Sequence, residues 1–138
     1  FSLVMALLEE DRNIRYVVKE FPILGEDSMT ASKAALASVK QGKYFDMHVA
    51  MMGLRGQLTE EKIYAIAMEK GLDIDKLKKD MNSDEIKQVI ERNYEIAQAL
   101  SISGTPAFVI GGQFIPGAID LDRMKELVAE ARAEKSKS

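Results

Sequence analysis

The side chains that carry most protein chemistry are scarce in this chain: there is one histidine and no cysteine. Without a thiol there is no thiolate nucleophile, no disulfide and no thiolate metal ligand. His48 has no companions at ligand-like spacing. It follows Tyr44 by four residues in a methionine-rich stretch, so it reads as a partly buried, structural histidine. The neighbouring carboxylates Glu60-Glu61 and Asp73/Asp75 stand where helices begin, and there they suit the N-terminal dipole better than paired acid–base work. Met47, Met51 and Met52 read as helix-packing core, with an adaptable peptide-binding surface as the alternative. Neither a metal nor a cofactor is expected.

The stretch that organises a candidate site is recognisable by its turn residues. Residues 103–117 hold two of the three prolines and four of the nine glycines. Ala107 to Ile110 is an apolar run of strand length. Gly111-Gly112 supplies a hairpin turn, Gln113-Phe114-Ile115 returns antiparallel, and Pro116-Gly117 breaks the strand. Asp120 then caps a closing helix. Gly104-Thr105 gives Pro106 a tight approach, the setting in which a cis X–Pro bond occurs.

The remaining elements are mostly helical. Leu3, Val4, Leu7 and Leu8 form one face of a helix already under way at residue 1, and Asp11-Arg12-Asn13 turns the chain. Ile14 to Phe21 is β-rich, with Val17 and Val18 adjacent as in a strand covered on both faces. A helix is expected from Ser28 to Gln41 with Gly42 at its end, and another from Lys43 to Met52, with Phe45, Val49 and Met52 on one side. Thr59, Asp73 and Ser83 open three more, the last carrying Ile86, Val89, Ile90, Tyr94, Ala97 and Leu100 as a stripe. The tail from Glu134 is expected to fray.

Composition narrows the partners. The chain has 138 residues, 46% hydrophobic and 30% charged, which suits one globular domain. The net charge of −3, with no basic stripe, argues against nucleic acid. The longest apolar run, Leu3 to Leu8, is too short to cross a bilayer. Residue 1 is not a natural translation start, so a processed or trimmed product is expected.

Gly104-Thr105-Pro106-Ala107-Phe108, the Gly-Gly hairpin and Lys19-Glu20-Phe21-Pro22-Ile23-Leu24-Gly25 together resemble the DsbA family of thioredoxin-fold proteins, which are bacterial and periplasmic or outer-membrane. The resemblance implies an α/β, thioredoxin-like fold with an inserted helical domain and its first strand missing from this sequence. Residues 1–27 and 101–135 would be the thioredoxin-fold parts of a single domain, 1–138, and 28–100 the insertion. The sheet would then contain a gap, to be filled by a neighbouring chain, making a homo-oligomer, or by preceding residues.

The family's Cys-X-X-Cys pair would lie just upstream of Phe1, at a helix N-terminus that lowers thiol pKa. Gly104, Thr105 and Pro106 match its substrate-binding cis-proline loop. Lys19 and Glu20 fall loosely where relatives place a charged group that takes protons, and a structural ion pair is the alternative that fills such positions more often. Some thiol-free relatives use a serine, but Ser2 lies past the helix N-terminus and is misplaced for that. The implied function is thiol–disulfide oxidoreductase or isomerase for exported proteins, redox-inactive in this chain for want of cysteines. Extended or unfolded exported polypeptides and a redox partner protein would be its partners, and an extracytoplasmic, periplasmic compartment its location. The alternatives are a thiol-free peptide-binding module and, third, a relative of kappa-type glutathione transferases.

Overall fold

Local signals set the ends of most elements. A computed structural model describes residues 2–22, 25–54, 56–104, 106–117 and 119–137. In chain order these form α1 (Ser2–Glu10), α2 (Glu26–Ser38) with a 3-10 turn (Val39–Gln41), α3 (Tyr44–Met52), α4 (Glu60–Glu69), α5 (Ile74–Met81) and α6 (Asp84–Ala99). The hairpin β1 (Ala107–Ile110) and β2 (Gln113–Pro116) and the helix α7 (Leu121–Lys137) follow. Gly42 takes the left-handed conformation that ends the 3-10 turn. Thr59 and Asp73 cap α4 and α5 by accepting from the amides of Lys62 and Lys76. The expected start at Ser28 moves forward to Glu26, because Gly25, Glu26 and Asp27 already supply a turn and an acidic first turn.

The chain divides into two compact units: residues 19–96, and residues 1–18 with 97–138. In the first, Met47, Ile63 and Leu77 are fully buried at the centre, each worth about 1.5–3 kcal/mol of apolar transfer. Ala34, Ala37 and Ala67 join them; small side chains let helix axes approach closely. Along α6, Ile86, Ile90 and Ala97 are buried as the stripe requires, whereas Leu100 lies past the helix end and is exposed. The second unit is built on Val4, Leu7 and Met124, with Ile14, Tyr16 and Phe108 packed against them.

Four expectations are corrected. Ile14 to Phe21 forms no strand; the sheet of the described residues is β1 paired with β2 alone. A strand is defined by its partner, and β-rich composition without one leaves the segment irregular. Phe45, Val49 and Met52 do share a face of α3, but they are 40%, 41% and 57% exposed, while Met47 and Met51 turn to the core. The tail does not fray at Glu134: α7 runs to Lys137, and the Ser136 hydroxyl donates to the carbonyl of Arg132. Pro116, expected to break β2, is instead its last residue, opposite Ala107, where a missing N–H on an edge strand costs little.

Candidate functional site

The predicted site residues sit where α6 hands over to the hairpin. At the end of α6 the Ile102 amide donates to the carbonyl of Ala97 at 2.7 Å, and Ser101 takes φ 57°. That left-handed position usually belongs to glycine. The exposed Ser103 and Gly104 then lead towards Pro106 and β1. At the far end of the hairpin the Gly117 amide donates to the carbonyl of Pro106 at 3.0 Å, and Gly117 has φ 77°. Between these turns lies an open cavity of about 210 Å³, lined by Ser101, Ser103, Gly104, Pro106, Phe114 and Pro116 among others.

Gly104 and Pro106 both line this cavity, whereas Thr105, and with it the Thr105–Pro106 bond, lies outside the described residues. Two prolines and a phenylalanine give the cavity an apolar lining, and two serines put hydroxyls beside it. No acid or base is among its lining residues. The described lining is thus apolar with hydroxyls beside it and includes no titratable side chain. Ser101, Ser103 and Phe114 were missed by sequence reasoning. The hairpin register could have flagged Phe114, because pairing it with Val109 puts two large apolar residues on one face of an edge strand.

The other candidates gather in residues 19–96. Glu20 accepts from the Tyr44 hydroxyl at 2.7 Å and from the Ser32 hydroxyl at 3.1 Å. Nδ1 of His48 lies 3.8 Å from the same carboxylate, and the two side chains are only 13% and 15% exposed. The imidazole stacks on the Tyr44 ring, with centroids 5.7 Å apart. Burial pushes the His48 pKa below 6.5, against the opposing pull of Glu20. His48 is therefore a partly buried side chain, 13% exposed, within a polar cluster. Asn93 donates to the backbone carbonyl of Glu20 at 2.9 Å, and Tyr94 donates to that of Pro22. Asn93 was also missed, although it interrupts the apolar series Ile86, Ile90, Ala97 and so had to be buried.

Lys19 is exposed, and Ser2 is the first residue of α1. Glu60 and Glu61 stand in the first turn of α4, where Glu60 accepts from the Tyr64 hydroxyl. Among the described residues no group of three His, Cys, Asp or Glu side chains could hold a metal ion. None of the described helices is long and apolar enough to cross a membrane.

Residues 4–129 match the DSBA-like thioredoxin domain. The chain belongs to the DsbA-like thioredoxin family. This DsbA-like chain has a thioredoxin-like fold with a helical insertion, mostly helical with a small sheet. It is 39% identical to a thioredoxin-like oxidoreductase of Silicibacter pomeroyi DSS-3, with a TM-score of 0.93 over 96% of this chain and 76% of that one. It is 32% identical to the thiol-disulfide exchange protein alpha-DsbA2 of Wolbachia pipientis, with a TM-score of 0.86 over 94% and 71% of the two chains. It is also 27% identical over 132 residues to the Na(+)/H(+) antiporter NhaA 1 of Salinispora arenicola, 94% of this chain but 20% of that protein. The chain thus spans about a fifth of the length of that curated relative. The family is one of thiol–disulfide oxidoreductases, and this DsbA-like sequence contains no cysteine.

Proposed function

We propose that this chain is the substrate-holding part of a thiol–disulfide oxidoreductase or isomerase that acts on exported, extended or unfolded polypeptides in an extracytoplasmic, periplasmic compartment. The observation that carries the reading is the cavity beside Gly104 and Pro106 in a chain of the DsbA-like family. Gly104, Thr105 and Pro106 form the substrate-binding loop, and the backbone there pairs with an extended peptide in β fashion while the apolar lining takes its side chains. Residues 1–138 act as one DsbA-like domain, with residues 28–100 as its helical insertion.

The redox chemistry requires a thiolate that attacks a disulfide sulfur, forms a mixed disulfide and expels the other sulfur as a thiolate. No side chain of the 138 can do this. The pair is supplied by a Cys-X-X-Cys placed just ahead of Phe1, and the 138-residue chain alone is redox-inactive. A redox partner protein then resets the pair. The second reading, a thiol-free peptide-binding module, is favoured by the same two facts taken alone: an apolar cavity and no cysteine.

Insulin reduction by dithiothreitol tests the choice. The 138-residue chain should add nothing to the background rate. A form with a strand and Cys-X-X-Cys joined ahead of Phe1 should accelerate precipitation. Acceleration by the cysteine-free chain, or a folded extended form that is inert, would overturn the oxidoreductase reading; the latter result would favour the binding module.

A further inference from the structure

With no thiol in the chain, the oxidisable sulfur lies in its eight methionines, and the fold sorts them into different environments. Met47, Met81 and Met124 are buried. Met5, Met29 and Met51 are partly buried, the last two packed against the core of residues 19–96. Met52 and Met68 stand apart at 57% and 69% exposure, and Met68 is the most exposed large apolar residue among those described.

Helix geometry accounts for both exposures. Met52 ends α3, where Met47 and Met51 turn to the core and Met52 shares the outer face with Phe45 and Val49. Met68 lies in the last turn of α4, turned away from the buried Ile63, Ile66 and Ala67.

We propose that Met52 and Met68 are the modification sites at which the folded protein reacts with peroxide, each passing to the sulfoxide and back without unfolding. A sulfur lone pair attacks one peroxide oxygen, the S–O bond forms as the O–O bond breaks, and hydrogen peroxide leaves as water. Sulfur is oxidised by two electrons and the peroxide is reduced by two. The return step takes two electrons from a dithiol through methionine sulfoxide reductases, one for each sulfoxide epimer, and releases the oxygen as water.

Burial sets the order of reaction. The sulfurs of Met47, Met81 and Met124 meet peroxide freely only in molecules that have opened locally or globally. The product follows the same division. A polar sulfoxide at Met52 or Met68 is hydrated by solvent, whereas at Met47 it would be a polar group without partners in a packed core.

Hydrogen peroxide added to the folded 138-residue protein tests the assignment. Peptide mass mapping should find the first two oxygen atoms on Met52 and Met68, with Met47, Met81 and Met124 still unmodified. The protein oxidised at those two positions should keep its urea midpoint within about 0.3 M. The two reductase types with dithiothreitol should return its mass. The double variant Met52→Leu/Met68→Leu should take up oxygen more slowly than the wild type, and in urea above the midpoint the eight methionines should react alike. First oxidation at any other methionine, the same order in urea as in buffer, or a midpoint that falls further on two-site oxidation would each overturn the proposal. If the leucine variant does not fold, the wild-type maps in buffer and in urea decide alone.

Discussion

Replacing Gly111 by alanine tests how the hairpin is seated on α7. Gly111 has φ 62°, a left-handed conformation that costs an L-residue about 1–2 kcal/mol. A β-carbon there would lie 2.9 Å from the Cβ of Ala131 and 3.5 Å from its Cα, and both neighbours are short and fixed to α7. Carbon atoms rest at about 3.5–4.0 Å, so the hairpin or α7 has to move. Overpacking of this kind costs about 1–3 kcal/mol. The two effects together predict a loss of about 2–5 kcal/mol, or a fall of about 1–2 M in the urea midpoint read by circular dichroism.

Gly112 is the matched control. Nothing lies within 4 Å of its would-be β-carbon, and it is not among the positive-φ residues. Gly112→Ala should be neutral or gain about 0.5 kcal/mol through the unfolded chain. A double-mutant cycle with Ala131→Gly should recover the steric part, about 1–3 kcal/mol of coupling. If Gly111→Ala and Gly112→Ala unfold within about 0.5 kcal/mol of each other, the close approach to Ala131 is not what seats the hairpin.

Three further outcomes are expected. Met47→Ala, in the fully buried centre of residues 19–96, should cost about 2–5 kcal/mol in urea unfolding, whereas Met52→Ala on the exposed face of the same helix should stay within about 0.5 kcal/mol. Ser101→Gly should stabilise the protein by about 1 kcal/mol, because glycine adopts φ 57° without the β-carbon penalty; a loss would mean that the serine side chain itself is needed there. Arg132 donates to both oxygens of Asp11 at 2.7 and 2.9 Å and holds that carboxyl below its ordinary 3.8. A depressed carboxylate stabilises above its unfolded value and loses that contribution as pH falls through the folded one. The wild type should therefore exceed Arg132→Gln in urea midpoint near pH 7, and the difference should shrink below about pH 4 and with added salt.

What was legible in the sequence was what neighbours in sequence decide. Thr59, Asp73, Gly42 and the Gly111-Gly112 turn act on backbone groups within a few residues, and all four stand where they were expected. The segment from Ile14 to Phe21 depends on a partner strand, so its composition could not place it. The core side of α3 was equally opaque. Phe45, Met47, Val49, Met51 and Met52 surround the helix with apolar residues, and only packing against α2 and α4 selects Met47 and Met51. At the candidate site, Gly104 and Pro106 were readable as turn chemistry. Ser101 and Phe114 join them only because the end of α6 and the return strand fold back beside them.

On the proposed function, an extended polypeptide lies along the loop that carries Gly104 and Pro106. The most direct measurement is an amide chemical-shift map of the cysteine-free 138-residue protein titrated with a short, unstructured peptide containing apolar residues. Saturable shifts should be concentrated at Ser101, Ser103, Gly104, Ala107, Phe114 and Gly117, and should be reduced when Phe114 is changed to aspartate. Saturable binding that leaves those amides unmoved, or shifts there that Phe114→Asp does not affect, would contradict it.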